Sequence, residues 1–251
     1  MNRYSTLKIF DYSIFTSNLN QIDLESKCVI NTLNQYSYVI AEKDEIFKKS
    51  LKESDVLLPD GIGIVAATKF LKGKTIKKIA GADLHLQLLK NLNKNNGSCF
   101  YLGSSEQTLM GIKERINMEF SCIKVGTFSP PFKAQFTSDD NAHMVSCVNS
   151  FNPDVLFVGM TAPKQEKWVY QHHGALDAKV ICSIGAVFAF YGGDVNRPHR
   201  IWIKLGLEWL VRLVHEPKRM WKRYLFYGPV FLYLVLKEKV FLMLKIKKRS
   251  I

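Results

Sequence analysis

Along the first three quarters of the chain, short apolar runs alternate with segments whose apolar residues recur at helical spacing. The apolar runs predict strands, because a strand buried on both faces shows no polar alternation. They are CVINT (28–32), VLLP (56–59), SCFYLG (98–103), CIKVGTF (122–128), DVLFVGM (154–160) and KVICSIGA (179–186). We expect helices between them over 34–43, 62–71, 82–94, 105–118, 139–150 and 163–172. The pattern predicts an α/β fold with a Rossmann-like, mostly parallel sheet and helices on both faces.

The pattern changes after about residue 196. Residues 201–217 and 218–249 have helical, aromatic and basic character, and no strand pattern is present there. The net charge is +13, and residues 1–196 carry 21 Lys/Arg against 19 Asp/Glu, whereas residues 197–251 carry 14 against 3. We therefore predict two units, a Rossmann-like domain over 1–196 and a basic, amphipathic helical appendage over 197–251.

The basic appendage has three interpretations. A charge block this local indicates a polyanionic partner, either a lipid surface or nucleic acid. We favour a membrane surface, because aromatic residues are interleaved with Lys and Arg and no nucleic-acid recognition module is present. The longest weakly polar run, LFYGPVFLYLVL (225–236), is shorter than a membrane span of about 20 residues. The third interpretation is a C-terminal helix that packs on the core with a basic outer face.

The five cysteines and the N-terminal segment bear on the compartment. The cysteines are far apart and form no CxxC pair, so we expect small core residues in a reducing compartment. The start, MNRYSTLKIFDYSIF, has no long apolar segment and no cleavage pattern of a signal peptide. Both features favour a cytoplasmic protein.

Polar residues at the carboxyl ends of the predicted strands are the candidates for chemistry, because ligands of parallel sheets bind at that edge. Asp60 lies between Pro59 and Gly61, a pair that forms a tight turn. The turn either directs Asp60 into a cleft as a general base or makes it the N-cap of the helix beginning near Ile62.

Gly103, Ser104 and Ser105 follow a predicted strand and open a helix. The free N–H groups there can bind an anion such as a diphosphate, but by spacing alone an ordinary serine-capped helix is the favoured alternative. The run GSSEQT lacks the later glycines of the dinucleotide fingerprint GxGxxG.

The segment GMTAPKQEKW (159–168) places Gln165 and Glu166 in the first turn of a helix. An amide at this position can bond sugar hydroxyls, whereas the alternative is a solvated face that includes Lys164 and Glu166. The six histidines form no metal-binding spacing and no DxD pair is present, so we expect no metal site.

Six blocks occur in order over about residues 25–230, and together they carry a family resemblance. They are NTLN (31–34), LPDGIGIV (58–65), IAGADL (79–84), PDVLFVGMTAPKQEKW (153–168), GGDVNRP (192–198) and LGLEWLVRLVHEPKRMWKRY (205–224). In this order and spacing the chain resembles the WecG/TagA/CpsF family of bacterial glycosyltransferases.

The resemblance implies inverting, metal-independent transfer of a sugar from a UDP-sugar to an undecaprenyl-diphosphate-linked saccharide. The donor sugar is of the N-acetylmannosamine type, its uronic acid or a hexose, and the product feeds cell-surface polysaccharides such as teichoic acid or exopolysaccharide. No cofactor is implied, because the UDP-sugar is a substrate. The resemblance implies a peripheral protein on the inner face of the bacterial plasma membrane. A homo-oligomer is compatible with it. No nucleic-acid partner is implied.

The resemblance also implies roles for individual residues of this chain. Asp60 is the implied catalytic base. The substrate-binding residues that the resemblance implies are Thr32, Asn34, Lys78, Gln165, Arg212, Arg219 and Arg223. We predict four further substrate-binding residues, which are Gly103, Ser104, Glu166 and Arg197.

The chain departs from the family pattern at Lys78, where arginine is common, at Thr161 and Ala189, where glycine and aspartate are usual, and at SPPFK (129–133). These departures bear on the donor sugar. Two other functions stay open at this point, an NAD-type Rossmann oxidoreductase and a non-catalytic membrane-binding scaffold.

Overall fold

The computed structural model describes residues 4–23, 25–194, 201–202 and 207–244, and it contains eight strands in these ranges. The strands are β1 (Thr6–Ile9), β2 (Tyr12–Phe15), β3 (Cys28–Leu33), β4 (Val56–Pro59), β5 (Ser98–Gly103), β6 (Lys124–Phe128), β7 (Val155–Gly159) and β8 (Val180–Ser183). The α-helices up to residue 194 are α1 (Gln35–Ala41), α2 (Glu45–Lys52), α3 (Ile62–Lys72), α4 (Gly81–Lys94), α5 (Glu106–Glu119), α6 (Ser138–Phe151), α7 (Lys164–His172) and α8 (Gly185–Tyr191). Two short 3₁₀ helices cover Leu19–Gln21 and His173–Ala175.

Four helical segments follow near the C-terminus. They are α9 (Glu208–His215), α10 (Pro217–Trp221), a π-helical turn (Lys222–Phe226) and α11 (Tyr227–Met243). None of the helices among the described residues combines the length and apolar character that crossing a bilayer requires.

The main sheet has six strands in the order β4-β3-β8-β7-β5-β6, and every neighbouring pair is parallel. The predicted α/β fold with a parallel sheet is therefore confirmed. Since all six strands run in the same direction, their carboxyl ends meet at one edge, where Gly103 of β5 is paired with Gly159 of β7.

Successive residues of one strand face opposite layers of helices, and β5 shows this directly. Cys99 and Tyr101 belong to a core cluster with residues of α4, α5 and α8. Phe100 and Leu102 belong to another cluster, on the other face, with residues of α6 and α7. Because both faces are buried, the strand needs no polar positions, which is why the sequence shows an uninterrupted apolar run.

Three elements were not predicted from the sequence. The first is the antiparallel β1–β2 hairpin, whose strands have only four residues each. The others are α2 and α8, and α8 begins at Gly185, within a run that we predicted as strand up to residue 186. The prediction that all cysteines are core residues is wrong for Cys122, which is exposed, whereas Cys147 is half-buried and packs against a core cluster.

Helix α11 has two different apolar faces. Phe231 and Val235 are buried in the cluster that contains residues of the hairpin, α1 and α3. The Phe231 ring lies edge-on to the rings of Tyr38 and Phe10, with centroids 5.5 Å and 6.4 Å away. The remaining apolar residues of this helix that are exposed are Leu232, Tyr233, Leu236, Val240, Leu242 and Met243. Core packing, one of the three interpretations of the appendage, therefore holds for one face of α11.

Candidate active site

A cavity of about 1060 Å³ opens at the carboxyl ends of the sheet strands. Residues at or after the end of every one of the six strands line it, from Asp60 after β4 to Ser129 after β6. In open parallel sheets this edge is where substrates bind, because helix N-termini and loop side chains converge there. The cavity is therefore the candidate active site.

Most of the predicted site residues meet in this cavity. Those that line it are Thr32, Asn34, Asp60, Gly103, Ser104, Gln165, Glu166 and Arg223. Lys78 is half-buried in the segment before α4 and is not among the lining residues. Arg197 lies outside the residues that the structure describes, and so do the side chains of Arg212 and Arg219. The roles assigned to all these residues stay predictions.

Asp60 is held by the backbone at the tip of β4. Its N–H donates to the carbonyl oxygen of Leu33 in β3 at 2.9 Å, and the N–H of Ile79 donates to the Pro59 carbonyl at 2.9 Å. Gly61 has φ +100° and occupies the N-cap position of α3. A left-handed φ of this kind suits glycine, so the Pro-Asp-Gly turn requires a glycine after the acid. The N-cap of α3 is thus Gly61 and not Asp60, whose half-buried side chain lines the cavity.

Asn34 combines a structural contact with its place in the cavity. Its Oδ1 accepts a hydrogen bond from the Ser37 N–H at 3.0 Å, and Ser37 Oγ accepts one from the Asn34 N–H at 2.8 Å. This reciprocal pair is a capping box that begins α1. The Nδ2 group of Asn34 is the donor that the cap does not use.

The predicted anion site at the start of α5 is also a capped helix. Ser105 is the N-cap, and its Oγ accepts from the Thr108 N–H at 3.2 Å. Thr108 Oγ1 donates to Asp194 Oδ2 at 2.5 Å, and Glu106 lies in the first turn of the helix. These two acids reduce the positive potential at the helix N-terminus, so a diphosphate there needs additional cations.

Gln165 joins the loops that follow β7 and β8. Its Oε1 accepts from the N–H groups of Met160 and Gly185, both at 3.2 Å, and its Nε2 donates to Glu166 Oε1 at 2.9 Å. A Cβ atom on Gly185 would overlap Gln165 Oε1, so this close approach requires glycine. The amide that we predicted to bond sugar hydroxyls therefore uses its oxygen, and one N–H, within the protein.

Glu166 is buried, although it stands in a polar segment of the sequence. It is only 2% exposed, so the alternative prediction of a solvated face is wrong for this residue. Burial raises the pKa of its carboxyl group to about 7, and the Gln165 hydrogen bond and the charge of Arg223 act in the opposite direction. The site therefore contains a carboxyl group that titrates near neutral pH.

The C-terminal segment brings two charged residues, Glu216 and Arg223, to the cavity. Arg223 lies in the π-helical turn, and its guanidinium carbon is 4.6 Å from the centre of the Tyr36 ring. A π-helical turn changes the direction of the side chains it carries, and such turns occur often at functional sites. The appendage therefore supplies part of the cavity wall.

Several lining residues were missed by the sequence interpretation. Glu216 gave no pattern of its own, whereas Ser183 and the segment 129–136 follow directly from the position of a strand end. Among the described residues, no group of three or more His, Cys, Asp or Glu side chains is arranged to hold a metal ion. Independence of metal stays a prediction.

Comparisons of the sequence with known proteins show which family the chain resembles throughout most of its length. The sequence model described as "Glycosyl transferase WecG/TagA/CpsF family" matches residues 9–244. A Bacillus subtilis (strain 168) protein named N-acetylglucosaminyldiphosphoundecaprenol N-acetyl-beta-D-mannosaminyltransferase is 31% identical over 87% of this chain and 82% of its own length. Proteins of the same name from Bacillus spizizenii and Staphylococcus aureus (strain MRSA252) are 27% and 26% identical, over 81% and 84% of this chain and 77% and 80% of their own lengths.

Proposed function

The chain belongs to the glycosyl transferase WecG/TagA/CpsF family and is a glycosyltransferase, and from this premise we propose that it transfers N-acetylmannosamine from its UDP derivative. The proposed acceptor is undecaprenyl-diphosphate N-acetylglucosamine, and the proposed product is a precursor of a cell-wall polymer. The names of the relatives support both sugars and the lipid acceptor. Neither an NAD-type oxidoreductase nor a non-catalytic scaffold has comparable support.

The observation that carries the mechanism is the position of Asp60, a half-buried carboxylate on the wall of the shared cavity. In the proposed reaction, Asp60 removes the proton from the acceptor hydroxyl while that oxygen attacks the anomeric carbon. The C–O bond to the UDP group breaks on the opposite face, so the configuration inverts. One carboxylate suffices for inversion, by analogy with inverting glycosidases, because no covalent intermediate forms.

The leaving UDP group gains negative charge and needs positive partners. Arg223 on the cavity wall and the N–H groups at the start of α5 are the proposed partners. Arg197, Arg212, Arg219 and Lys78 remain proposed substrate-binding residues. We propose that no metal takes part, since cations from the appendage replace it.

The location that we propose is the inner face of the plasma membrane. Exposed apolar residues of the C-terminal segment support this, among them Trp221, Leu225, Phe226, Leu236 and Val240. Of the 14 Lys/Arg residues after position 196, those that are not assigned to the substrate would face anionic lipid headgroups, and a cation near the surface contributes about 1 kcal/mol. Because Arg223 belongs to the same segment and lines the cavity, membrane contact and catalysis are linked in this proposal.

Replacing Asp60 by Asn tests the mechanism, and Asp177→Asn serves as the control because Asp177 is exposed and is not among the cavity-lining residues. The assay measures the release of UDP from UDP-N-acetylmannosamine, the proposed donor, in the presence of a lipid-diphosphate N-acetylglucosamine acceptor. We expect D60N to lower the rate by about 10²–10⁴-fold with UDP-sugar affinity unchanged, as for loss of a general base. Normal turnover by D60N would remove Asp60 as the base, and no UDP release by the wild-type chain would reject the function.

A further inference from the structure

Two buried oxygen atoms of the cavity wall have no hydrogen-bond partner among the described residues. They are Glu166 Oε2 and Ser183 Oγ, and their residues are 2% and 1% exposed. Both residues line the cavity. Buried polar groups are rarely left without a partner, because each one costs free energy, so a pair at one cavity points to a ligand.

A third such atom serves as a contrast. Asn31 Oδ1 is also buried without a partner among the described residues, but Asn31 is not among the cavity-lining residues. Its Nδ2 donates to the Ser50 carbonyl and to Ser54 Oγ, near α2. Burial alone therefore does not distinguish Glu166 and Ser183 from Asn31, whereas their position on the cavity wall does.

The chemistry of the two oxygens restricts the ligand. A carboxylate only accepts hydrogen bonds, and Glu166 Oε1 already accepts one from Gln165, whereas the Ser183 hydroxyl can donate. A negative charge disfavours a phosphate at this place. An acetamido group has one N–H donor and one C=O acceptor, and it is therefore the complement of this pair.

We propose that Glu166 and Ser183 form a subsite for the acetamido group of an N-acetylated sugar substrate. The acetamido N–H donates to Glu166 Oε2, and the Ser183 hydroxyl donates to the acetamido oxygen. This proposal rests on the proposed function, and it adds the residues that select an N-acetylated sugar. Both the UDP-sugar and the lipid-linked acceptor carry such a group in that function, so the experiment has an arm for each.

The position of the pair in the sheet agrees with a sugar. Ser183 ends β8 and Glu166 follows β7. These two strands lie between β4, which ends directly before Asp60, and β5, which leads into α5. β8 is two strand spacings, about 10 Å, from β4. In the order of the strands, the subsite therefore lies between the proposed base and the start of α5, which is one of the proposed diphosphate contacts.

The titration of Glu166 gives the proposal a readout that a purely structural role would not produce. An N–H group bonds a carboxylate more strongly than a neutral carboxyl group. Since burial raises the pKa of Glu166 to about 7, affinity for the N-acetylated sugar should fall as the pH drops from 8 to 6. The other charged residues that line the cavity are Asp60, Glu106, Lys133, Lys164, Glu216 and Arg223.

The experiment uses calorimetry with UDP, UDP-N-acetylmannosamine and UDP-mannose on the full chain. Its variants are Glu166→Gln and Ser183→Ala. The controls are Glu119→Gln, an acid paired with Arg115 that is not among the cavity-lining residues, and Ser50→Ala, a buried serine whose hydroxyl donates to the Phe47 carbonyl. In the acceptor arm, KM is compared for lipid-diphosphate N-acetylglucosamine and lipid-diphosphate glucose.

If the donor sugar occupies the subsite, both variants weaken UDP-N-acetylmannosamine binding by about tenfold and leave UDP and UDP-mannose unchanged. If the acceptor sugar occupies the subsite, both variants raise the KM for lipid-diphosphate N-acetylglucosamine. The KM for lipid-diphosphate glucose and the affinity for the UDP-sugars then stay unchanged. Glu166→Gln also removes the dependence on pH between 6 and 8. The wild-type pH dependence is measurable even if a variant fails to fold. A wild-type chain in which neither the affinity for UDP-N-acetylmannosamine nor the KM for lipid-diphosphate N-acetylglucosamine changes between pH 8 and 6 contradicts the proposal.

The subsite and the proposed function fail in distinguishable ways. Variants that match their controls in all binding and KM measurements, in a chain that transfers sugar normally, overturn the subsite alone. A wild-type chain that neither binds a UDP-sugar nor releases UDP overturns the function and the subsite together.

Discussion

Replacing Phe231 by Ala tests whether α11 is docked on the sheet domain. Phe231 is 6% exposed and its ring contacts Tyr38 and Phe10, so the substitution removes nearly all of a buried side chain. Core Phe→Ala substitutions cost about 3–5 kcal/mol. We take about 3 kcal/mol, because a cavity beneath a helix at the edge of the fold can partly collapse. At about 1.4 kcal/mol per factor of ten, α11 should open about 100-fold more often.

Hydrogen exchange of the amides in Tyr227–Met243 measures this opening directly. The matched control is Leu232→Ala, because Leu232 is the next residue of the same helix and is 58% exposed. We expect its effect to stay within about 0.5 kcal/mol. Since the π-helical turn that carries Arg223 directly precedes α11 on the chain, F231A should also slow transfer. Equal exchange of α11 in F231A and the wild-type chain would refute the packing described here.

Three further substitutions test single contacts. Gly185→Ala forces a Cβ atom against Gln165 Oε1 and should lower Tm by about 5 °C. The control is Gly174→Ala, whose added Cβ atom would have no neighbour within 4 Å and should leave Tm unchanged. Equal Tm values for the two variants contradict the Gly185–Gln165 contact. Asn34→Ala removes the α1 cap and should cost about 1 kcal/mol in urea unfolding, and no loss would argue against the cap. Burial of His85 and the nearby charge of Arg115 lower its pKa to about 3, so the native state keeps it neutral. The unfolded chain binds a proton below about pH 6.5, so stability should fall by up to about 1.4 kcal/mol per pH unit from 6.5 toward 3. His85→Phe should reduce this slope, and an identical slope in the variant contradicts the assignment.

The sheet could be predicted from the sequence because its strands are buried on both faces. Their apolar runs are local, and each of the six predicted strands overlaps an observed one. The hairpin of β1 and β2 was missed because four-residue strands carry little pattern. Helix α8 was missed because its run GAVFAFY continues the apolar character of β8.

The candidate site was partly predictable for a topological reason. In a parallel sheet every strand end reaches the same edge, so Asp60, Gly103 and Gln165 could be expected together before any coordinates were known. Glu216 could not, because it is far from any strand end along the chain and reaches the cavity only through the packing of the C-terminal helices.

The sequence by itself determined the parallel sheet, the edge at which the candidate site lies and the family, because these depend on local apolar periodicity and on short motifs. Only the tertiary structure decided the environment of individual side chains. Glu166 shows the difference, since its neighbours in the sequence are polar and yet its carboxyl group is buried. Burial, and with it the pKa, depends on what packs over a residue from distant parts of the chain, and that information is not local.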